Sequence, residues 1–544
     1  MKAPLFLAAA LLAGTAAVAA TPNFDIARIS KDVQTLSSDA FEGRGPATAG
    51  EVKTVDYLVK AMKDAGLKPG NGASYTQDVP LLKSDIVGTP SLSMTVNGTA
   101  KKLSQGEEIA VRAAMTGQTR VDIANAPLVF VGYGVKAPER GGWDDFKGVD
   151  LKGKIAVVLV NDPDFEGGEG DFGGKAMTYY GRWTYKYEEG ARQGAAGVLV
   201  IHEYEPASYG WATVKNSNTN TMFDIVRQNP AADHTAMEAW IQKDLAAELF
   251  AASGTSFEAM KAAAKKKDFK PVPLKATLSA GYDVKPETII SKNVVGMVKG
   301  KSRPDETVIY SGHWDHLGVG LADAKGDTIY NGARDNASGI AMILELARAY
   351  AKAPAPERSV VFLAVTAEEK GLLGSAYYSA NPLFPLGKTA GVINMDGTIG
   401  LGAAKDFTIS GTAKLGLLDR LIDEAKKQGR VYTPDSRVEA GGFYRSDHFP
   451  FAKAGVPAVS FGTGRDLVNG GTARADEIGK IFTRDSYHQP SDEWSADWDM
   501  TGVPDDMTLL YTTGRALADS KDWPAWSADS EFKAERDKTA SERK

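Results

Sequence analysis

Val52, Val55, Val59 and Met62 recur at the three- and four-residue spacing of one helical face, and Gly66 follows as a stop. Helix is therefore predicted within 29–66, and a turn-rich stretch follows at 68–75. The texture then changes. Segments 77–82 and 91–96 read as strands, and Asn97-Gly98 is a strong hairpin signal. Segment 126–133 (APLVFVGY), segment 150–160 (DLKGKIAVVLV) and segment 195–201 (AAGVLVI) contain continuous apolar, β-branched runs, which suit strands buried on both faces. Between the last two, 189–194 has the look of a helix end. From 290 to 463 strands and helices alternate: 307–310, 360–366, 391–395 and 458–461 read as buried strands. Segment 336–353 reads as a helix with Ile340, Ile343, Leu344 and Ala347 on one face. This order predicts an α/β fold, a mixed and mostly parallel sheet sandwiched by helices. The lysines within 261–267 read as a solvated helix face, and the charged end 527–544 as a frayed helix or tail.

Composition narrows the classes. The 544 residues suffice for two to four domains, and 43% hydrophobic with 24% charged residues is the balance of a globular chain. With 63 basic against 69 acidic residues the formal charge is -6, which argues against a nucleic-acid partner. There is no cysteine, so a disulfide scaffold, a thiolate metal site and a cysteine nucleophile are all excluded. Any metal must be held by His, Asp or Glu. Lys2, the apolar run 5–13 and the small residues Ala17-Val18-Ala19 predict a signal peptide over 1–19. Its removal is expected to leave a chain with no stable membrane anchor, exported to a bacterial periplasm or the medium.

Candidate chemistry collects where the predicted strands end, which is where open α/β sheets bind ligands. The strand TVIY runs into SGHWDHLG, with His313, Asp315 and His316. VVFLAVT runs into AEEKGLLGS, with Glu368 and Glu369, and GVINM into Asp396. NGARDNASG sets Asp335 and Asn336 before a helix, and YHQPSDEW brings His488. Adjacent carboxylates at a strand end repel one another, and a cation that neutralises one while leaving the other as a base accounts for the pair. His313, Asp335, Glu369, Asp396 and His488 together suit a two-metal site of oxygen and nitrogen donors. Two divalent cations, three carboxylates and one hydroxide sum to zero charge, which eases burial.

In that order and spacing, these motifs resemble the co-catalytic zinc exopeptidases that include bacterial secreted leucyl aminopeptidases and aminopeptidase S, with glutamate carboxypeptidase and the transferrin receptor more distant. LSSDAFEGRGPATAG is similar to the start of such domains, while DLKGKIAVVLV and GARQGAAGVLVIHE are similar to a protease-associated domain. The resemblance implies a peptidase domain over 20–117 and 287–526, split by a protease-associated insertion at 118–286. It further implies that His313 and Asp396 bind one Zn2+, that Glu369 and His488 bind the other, and that Asp335 bridges them through a cis bond to Asn336. Mn2+ or Co2+ would suit similar donors. Asp315 would orient His313 and Glu368 would be the general base.

The expected activity is release of N-terminal residues from peptides. Carboxypeptidase or dipeptidase action, and glutaminyl cyclase-like transfer, stay open as alternatives. Tyr444, Arg445 and Arg334 are candidate substrate contacts; Tyr444 would meet the oxyanion or the substrate, and either arginine could meet a carboxylate. Asp447 and His448 are read as a structural hydrogen-bonded pair, His316 as a supporting residue, and His202 and His234 as unrelated to catalysis. The insertion is expected to overhang the site and limit access to short peptides.

Overall fold

The computed structural model describes residues 22–397 and 399–543, so the expected signal peptide lies outside the described residues. Helices α1 (Ile26–Leu36) and α2 (Ala49–Asp64) come first. The strands that follow are β1 (Thr76–Val96), β2 (Thr99–Leu103), β3 (Ile109–Val111), β4 (Arg120–Phe130) and β5 (Ile155–Leu159). Next come α3 (Trp183–Arg192), β6 (Gly197–His202), α4 (Trp211–Asn218), β7 (Met237–Gln242) and β8 (Val272–Val298). The remaining half holds β9 (Arg303–His313), α5 (Gly339–Lys352), β10 (Arg358–Val365), β11 (Thr389–Met395), β12 (Asp406–Ile409), β13 (Ala458–Thr463) and α6 (Val503–Asp519).

One sheet runs through the molecule in the order β12-β13-β11-β9-β10-β8-β4-β5-β6-β7-β3. Strands β13, β11, β9 and β10 are mutually parallel, as are β4, β5, β6 and β7; β8 joins the two groups antiparallel to both. The fold is thus the mixed, mostly parallel α/β arrangement that the alternation predicted. The apolar runs are buried on both faces. Ile155, Val157 and Leu159 enter one apolar cluster while Ala156, Val158 and Val160 enter another on the opposite side. Asn97 and Gly98 both take positive φ, 48° and 81°, and turn β1 into β2 as a hairpin.

Two cores share this sheet. One gathers α1, α2, α5, α6 and strands β9–β11 and β13. The other takes in Leu92, Met94, Leu103, Ile109, Val111 and Ala114 as well as apolar residues from Val121 to Val284, so it draws on chain ahead of residue 118. The two are stitched by β1 and β8, paired antiparallel from Val96↔Ala276 to Thr76↔Val294 with a bulge at Gly281/Asp283.

Four expectations change. The 29–66 helix breaks after Leu36 because the chain must bend to bury Arg44, whose guanidinium donates to the carbonyls of Leu36, Trp314, Asn331 and Gly332. In α2 the buried face is Glu51, Thr54, Val55, Leu58 and Met62, with Val52 61% exposed. Glu51 can turn inward because its carboxylate accepts from the Ala47 amide at 2.6 Å and the Ser291 hydroxyl at 2.9 Å. Lys261 is no solvated lysine: it is buried between Glu166 and Glu203 at 2.7 and 2.8 Å. Finally, 527–543 docks rather than trailing as a tail. Phe532 stacks on Phe443, and buried Arg536 donates to the carbonyls of Leu386 and Thr389.

Candidate metal centre

Three of the five candidate ligands stand at the ends of parallel strands, Asp335 sits ahead of a helix, and His488 follows the helix Gly471–Asp485. β9 ends at His313, β11 ends one residue before Asp396, and β10 leads through Thr366-Ala367 into the turn Glu368–Lys370. Asp335 sits in the irregular turn Ala333–Ser338 ahead of α5, and its peptide bond to Asn336 is cis. The Asn336 side chain ties these loops together: its amide donates to the Met395 carbonyl, and its oxygen accepts from the Gly339 and Gly397 amides.

The donors converge in two halves. His313 Nε2 lies 3.3 Å from Asp335 Oδ1 and 3.4 Å from Asp396 Oδ1. His488 Nε2 lies 3.3 Å from Asp335 Oδ2 and 2.9 Å from Glu369 Oε2. Asp335 therefore turns one oxygen to each histidine. Imidazole nitrogens and carboxylate oxygens crowded in this way fit divalent cation binding, zinc included. Glu368 also stands near His313 and Asp396, but its closest approach to His313 Nε2 is 3.9 Å, longer than the ligand contacts. Its carboxylate thus belongs to a second donor group with His313 and Asp396 that could hold an ion.

Electrostatics separate the two adjacent glutamates. Burial pushes the Glu368 carboxyl well above the usual range, and Glu369 and Asp447 push the same way against His313. Burial and Asp335 also raise Glu369, but His488 and His316 outweigh them and hold it at about 2. Burial likewise opposes ionisation of Asp335, yet His313 and His488 keep it well below its ordinary value. One carboxyl is thus poised to hold a proton while its neighbour stays ionised as a donor.

The supporting residues act partly as expected. His313 Nδ1 faces the Asp315 carbonyl at 3.1 Å, which leaves Nε2 free to ligate. The Asp315 carboxylate is 3.8 Å from that ring and accepts instead from the Glu368 amide at 3.0 Å and the Glu369 amide at 3.4 Å. It orients the glutamate turn, and the histidine only through its backbone. His316 Nδ1 stands 2.6 Å from Glu369 Oε1. Asp447 and His448 are not paired: Asp447 accepts from the Ser375 hydroxyl at 2.6 Å, and neither ring nitrogen of buried His448 has a partner among the described residues.

A cavity of about 790 Å³ opens over the centre, walled by both cores. Tyr444 lines it, but its hydroxyl donates to Glu531 at 3.1 Å and its ring packs on Phe449. Arg445 lines it too, 5.2 Å over the Tyr209 ring and donating to the Tyr487 hydroxyl at 3.3 Å. Arg334 is outside the cavity wall, held between the rings of Phe482 and Trp498.

Several residues escaped the sequence reading. Asp492 accepts the amides of Arg334 and Asp335, both at 3.1 Å, and so fixes the central ligand; its place inside YHQPSDEW was the available signal. Arg182, in the insertion, lines the cavity with no ion-pair partner among the described residues, and burial together with the charge of Arg445 lowers it to about 10. Ser217 lies 2.8 Å from His488 Nδ1. Neither Arg182 nor Ser217 belongs to a motif that marks it.

The model of peptidase family M28 matches residues 293–511, the span that holds all five candidate ligands and Glu368. A probable zinc metalloprotease of Pyricularia oryzae is 38% identical over 104 residues, 19% of this chain and 20% of that protein. One from Leptosphaeria maculans is 32% identical over 204 residues, 31% of this chain and 46% of that protein. The chain thus spans between about a fifth and just under half the length of these curated relatives. An aminopeptidase from Aneurinibacillus sp. strain AM-1 shares the fold over 91% of this chain and 94% of its own, at 20% identity and a TM-score of 0.53. The span matched by the peptidase family M28 model coincides with strands β9, β10, β11 and β13 and with the loops at their ends.

Proposed function

We propose that this protein is an exported zinc-dependent exopeptidase, most specifically an aminopeptidase that releases N-terminal residues from peptides. The observation that carries this reading is Asp335, set between two half-sites with one oxygen toward His313 and the other toward His488. His313 and Asp396 would complete one zinc position, and Glu369 and His488 the other. When bound, two such cations supply Lewis acidity that polarises a carbonyl and acidifies a water. Glu368 takes the proton of the attacking water and returns it to the leaving amine. Its burial favours the protonated form it must pass through. Asp315 holds the Glu368 amide and hence the base in register with the ligands.

The curated relatives described as zinc metalloproteases support the metal and the reaction class, and the shared fold of the AM-1 aminopeptidase supports the terminus. The insertion is read as a protease-associated domain. Its residues Tyr179, Arg182, Trp183 and Tyr209 wall the cavity, which favours short, unstructured peptides over folded chains.

Aminoacyl anilides, N-blocked peptides and N-terminal glutaminyl peptides, each incubated with zinc-loaded protein, test the reading. Hydrolysis confined to free-amine substrates is the expected result. Cleavage of the N-blocked peptides would reverse the direction to carboxypeptidase, and ammonia release from the glutaminyl peptides would make it a cyclase.

A further inference from the structure

The two histidine ligands are steadied from different sources. His313 is held by a carbonyl two residues along its own loop. His488 is held from outside its domain, by the last turn of α4 in the insertion. Thr213, Asn216 and Ser217 lie three and four residues apart, on one face of that helix. Asn216 Nδ2 donates to the His488 carbonyl at 3.0 Å, the Thr213 hydroxyl donates to the Tyr487 carbonyl at 3.4 Å, and Ser217 Oγ lies 2.8 Å from His488 Nδ1. Just past the helix, Asn220 Oδ1 accepts from Lys370, the residue after Glu369, at 2.8 Å. The four contacts bracket the His488–Glu369 half of the centre and leave the His313–Asp396 half alone.

The helix is itself anchored to the chain ahead of residue 118 and to the insertion. Trp211 Nε1 donates to the Gly106 carbonyl, Arg112 donates to Asn218 Oδ1, and Lys215 pairs with Glu107. Val214 is buried in the insertion core. Ser217 is therefore placed by the apolar cluster on the other face of β5–β7 and presented to a candidate ligand of the first core.

We infer that Ser217 is a positioning residue for the metal centre: its hydroxyl accepts the Nδ1 proton of His488 and so keeps the Nε2 lone pair aimed at the zinc shared with Glu369. The inference rests on the two-zinc reading above. An imidazole that ligates through one nitrogen needs the other held, or the ring turns and changes tautomer. The hydroxyl is uncharged, so it fixes orientation without adding negative charge to a site already rich in carboxylates. The insertion thereby becomes a part of the metal site, and its docking sets the occupancy of one position.

The test uses the full chain loaded with zinc, and in parallel with cobalt, as wild type, S217A and S217T. Zinc release to a chromophoric chelator and the visible cobalt spectrum are read alongside total metal by elemental analysis. In S217A one ion is expected to bind about tenfold to a hundredfold more weakly while the other is unchanged, and the cobalt bands of one position shift. S217T, which restores the hydroxyl, is expected to recover the wild-type pattern. S217A that releases both ions like wild type, with the same cobalt spectrum, would overturn the inference and leave the peptidase reading intact. Failure of S217T to recover, with its fold intact by circular dichroism, would likewise count against a hydroxyl-specific role. Wild-type protein that takes up no zinc would overturn the peptidase reading and this inference with it.

Discussion

Two buried parallel ladders occupy this molecule, and they treat charge at their strand ends in opposite ways. In the insertion, several buried ionisable groups around β5–β7 are answered by protein. Asp164 accepts the amides of Gly170, Phe172 and Gly174, and Asp162 accepts both the amide and the hydroxyl of Thr178. Buried Lys186 donates to the carbonyls of Asn161 and Tyr180, and His234 is clamped between Asp224 at 3.0 Å and Glu238 at 2.9 Å. At the ends of β9–β11, four carboxylates and two imidazoles have mainly one another. The same scaffold yields a satisfied polar interior in one place and an unbalanced anionic cluster in the other. The imbalance, more than the presence of acids or histidines, marks the site.

That contrast can be broken or sharpened by substitution. The largest effect is expected at Glu368. Glu368→Gln should keep both metal ions and lose about 10²–10⁴-fold in turnover, measured as kcat on a free-amine substrate with zinc content checked in the same sample. Substantial activity with full metal content would remove Glu368 from the role of base. His313→Ala should drop one of the two ions, and an unchanged stoichiometry by elemental analysis would contradict the assignment.

In the insertion the same kind of substitution should cost stability and leave metal content alone. His234→Gln removes the cation between Asp224 and Glu238 but leaves Asp224 with Arg227 and Glu238 with Arg112, which is expected to cost about 1.5–3 kcal/mol in urea unfolding. Burial pushes the His234 ring down, but Glu238 and Asp224 raise it to about 10. A raised folded-state value means stability present in full below about pH 6.5, the ordinary histidine range, and lost as pH rises through about 10. The gap between wild type and His234→Gln should accordingly narrow as pH rises toward that value; a constant gap would deny the charged clamp. The smallest effect belongs to His202, whose ring meets the Tyr209 carbonyl at 2.9 Å. His202→Leu is expected to cost about 1–2 kcal/mol and no zinc. Metal loss in either insertion variant would erase the contrast between the two ladders.

Much of this was legible along the chain, for identifiable reasons. The strands β9, β10 and β11 are apolar runs that lead into acids or histidine, so both their burial and the place of the chemistry could be read locally. The face of α2 could not. Val52 has the residue type of a core position and Glu51 does not, but hydrogen bonds from Ala47 and Ser291 reversed their places. Lys261 was misjudged for the same reason: its partners Glu166 and Glu203 are distant in sequence. Tyr444 and Arg334 carried plausible chemistry, yet Glu531 and a pair of aromatic rings decide where they point. Local pattern reports what a strand needs; the partner of a polar side chain is a property of the fold.

The ribbon of β1 and β8 has a bearing on engineering. Domains joined by loops can be exchanged at the loops, but here both strands run uninterrupted from one core to the other. Excising 118–286 would remove the partners of residues 84–96, from Pro286 opposite Ser84 to Ala276 opposite Val96, and leave a bare strand edge open to other chains. A chimera that borrows the second core from a relative must therefore take both ribbon strands as its seam. Motion between the two halves would have to shear or bend a hydrogen-bonded ladder, so the cavity between them is braced like a girder rather than hung on a hinge.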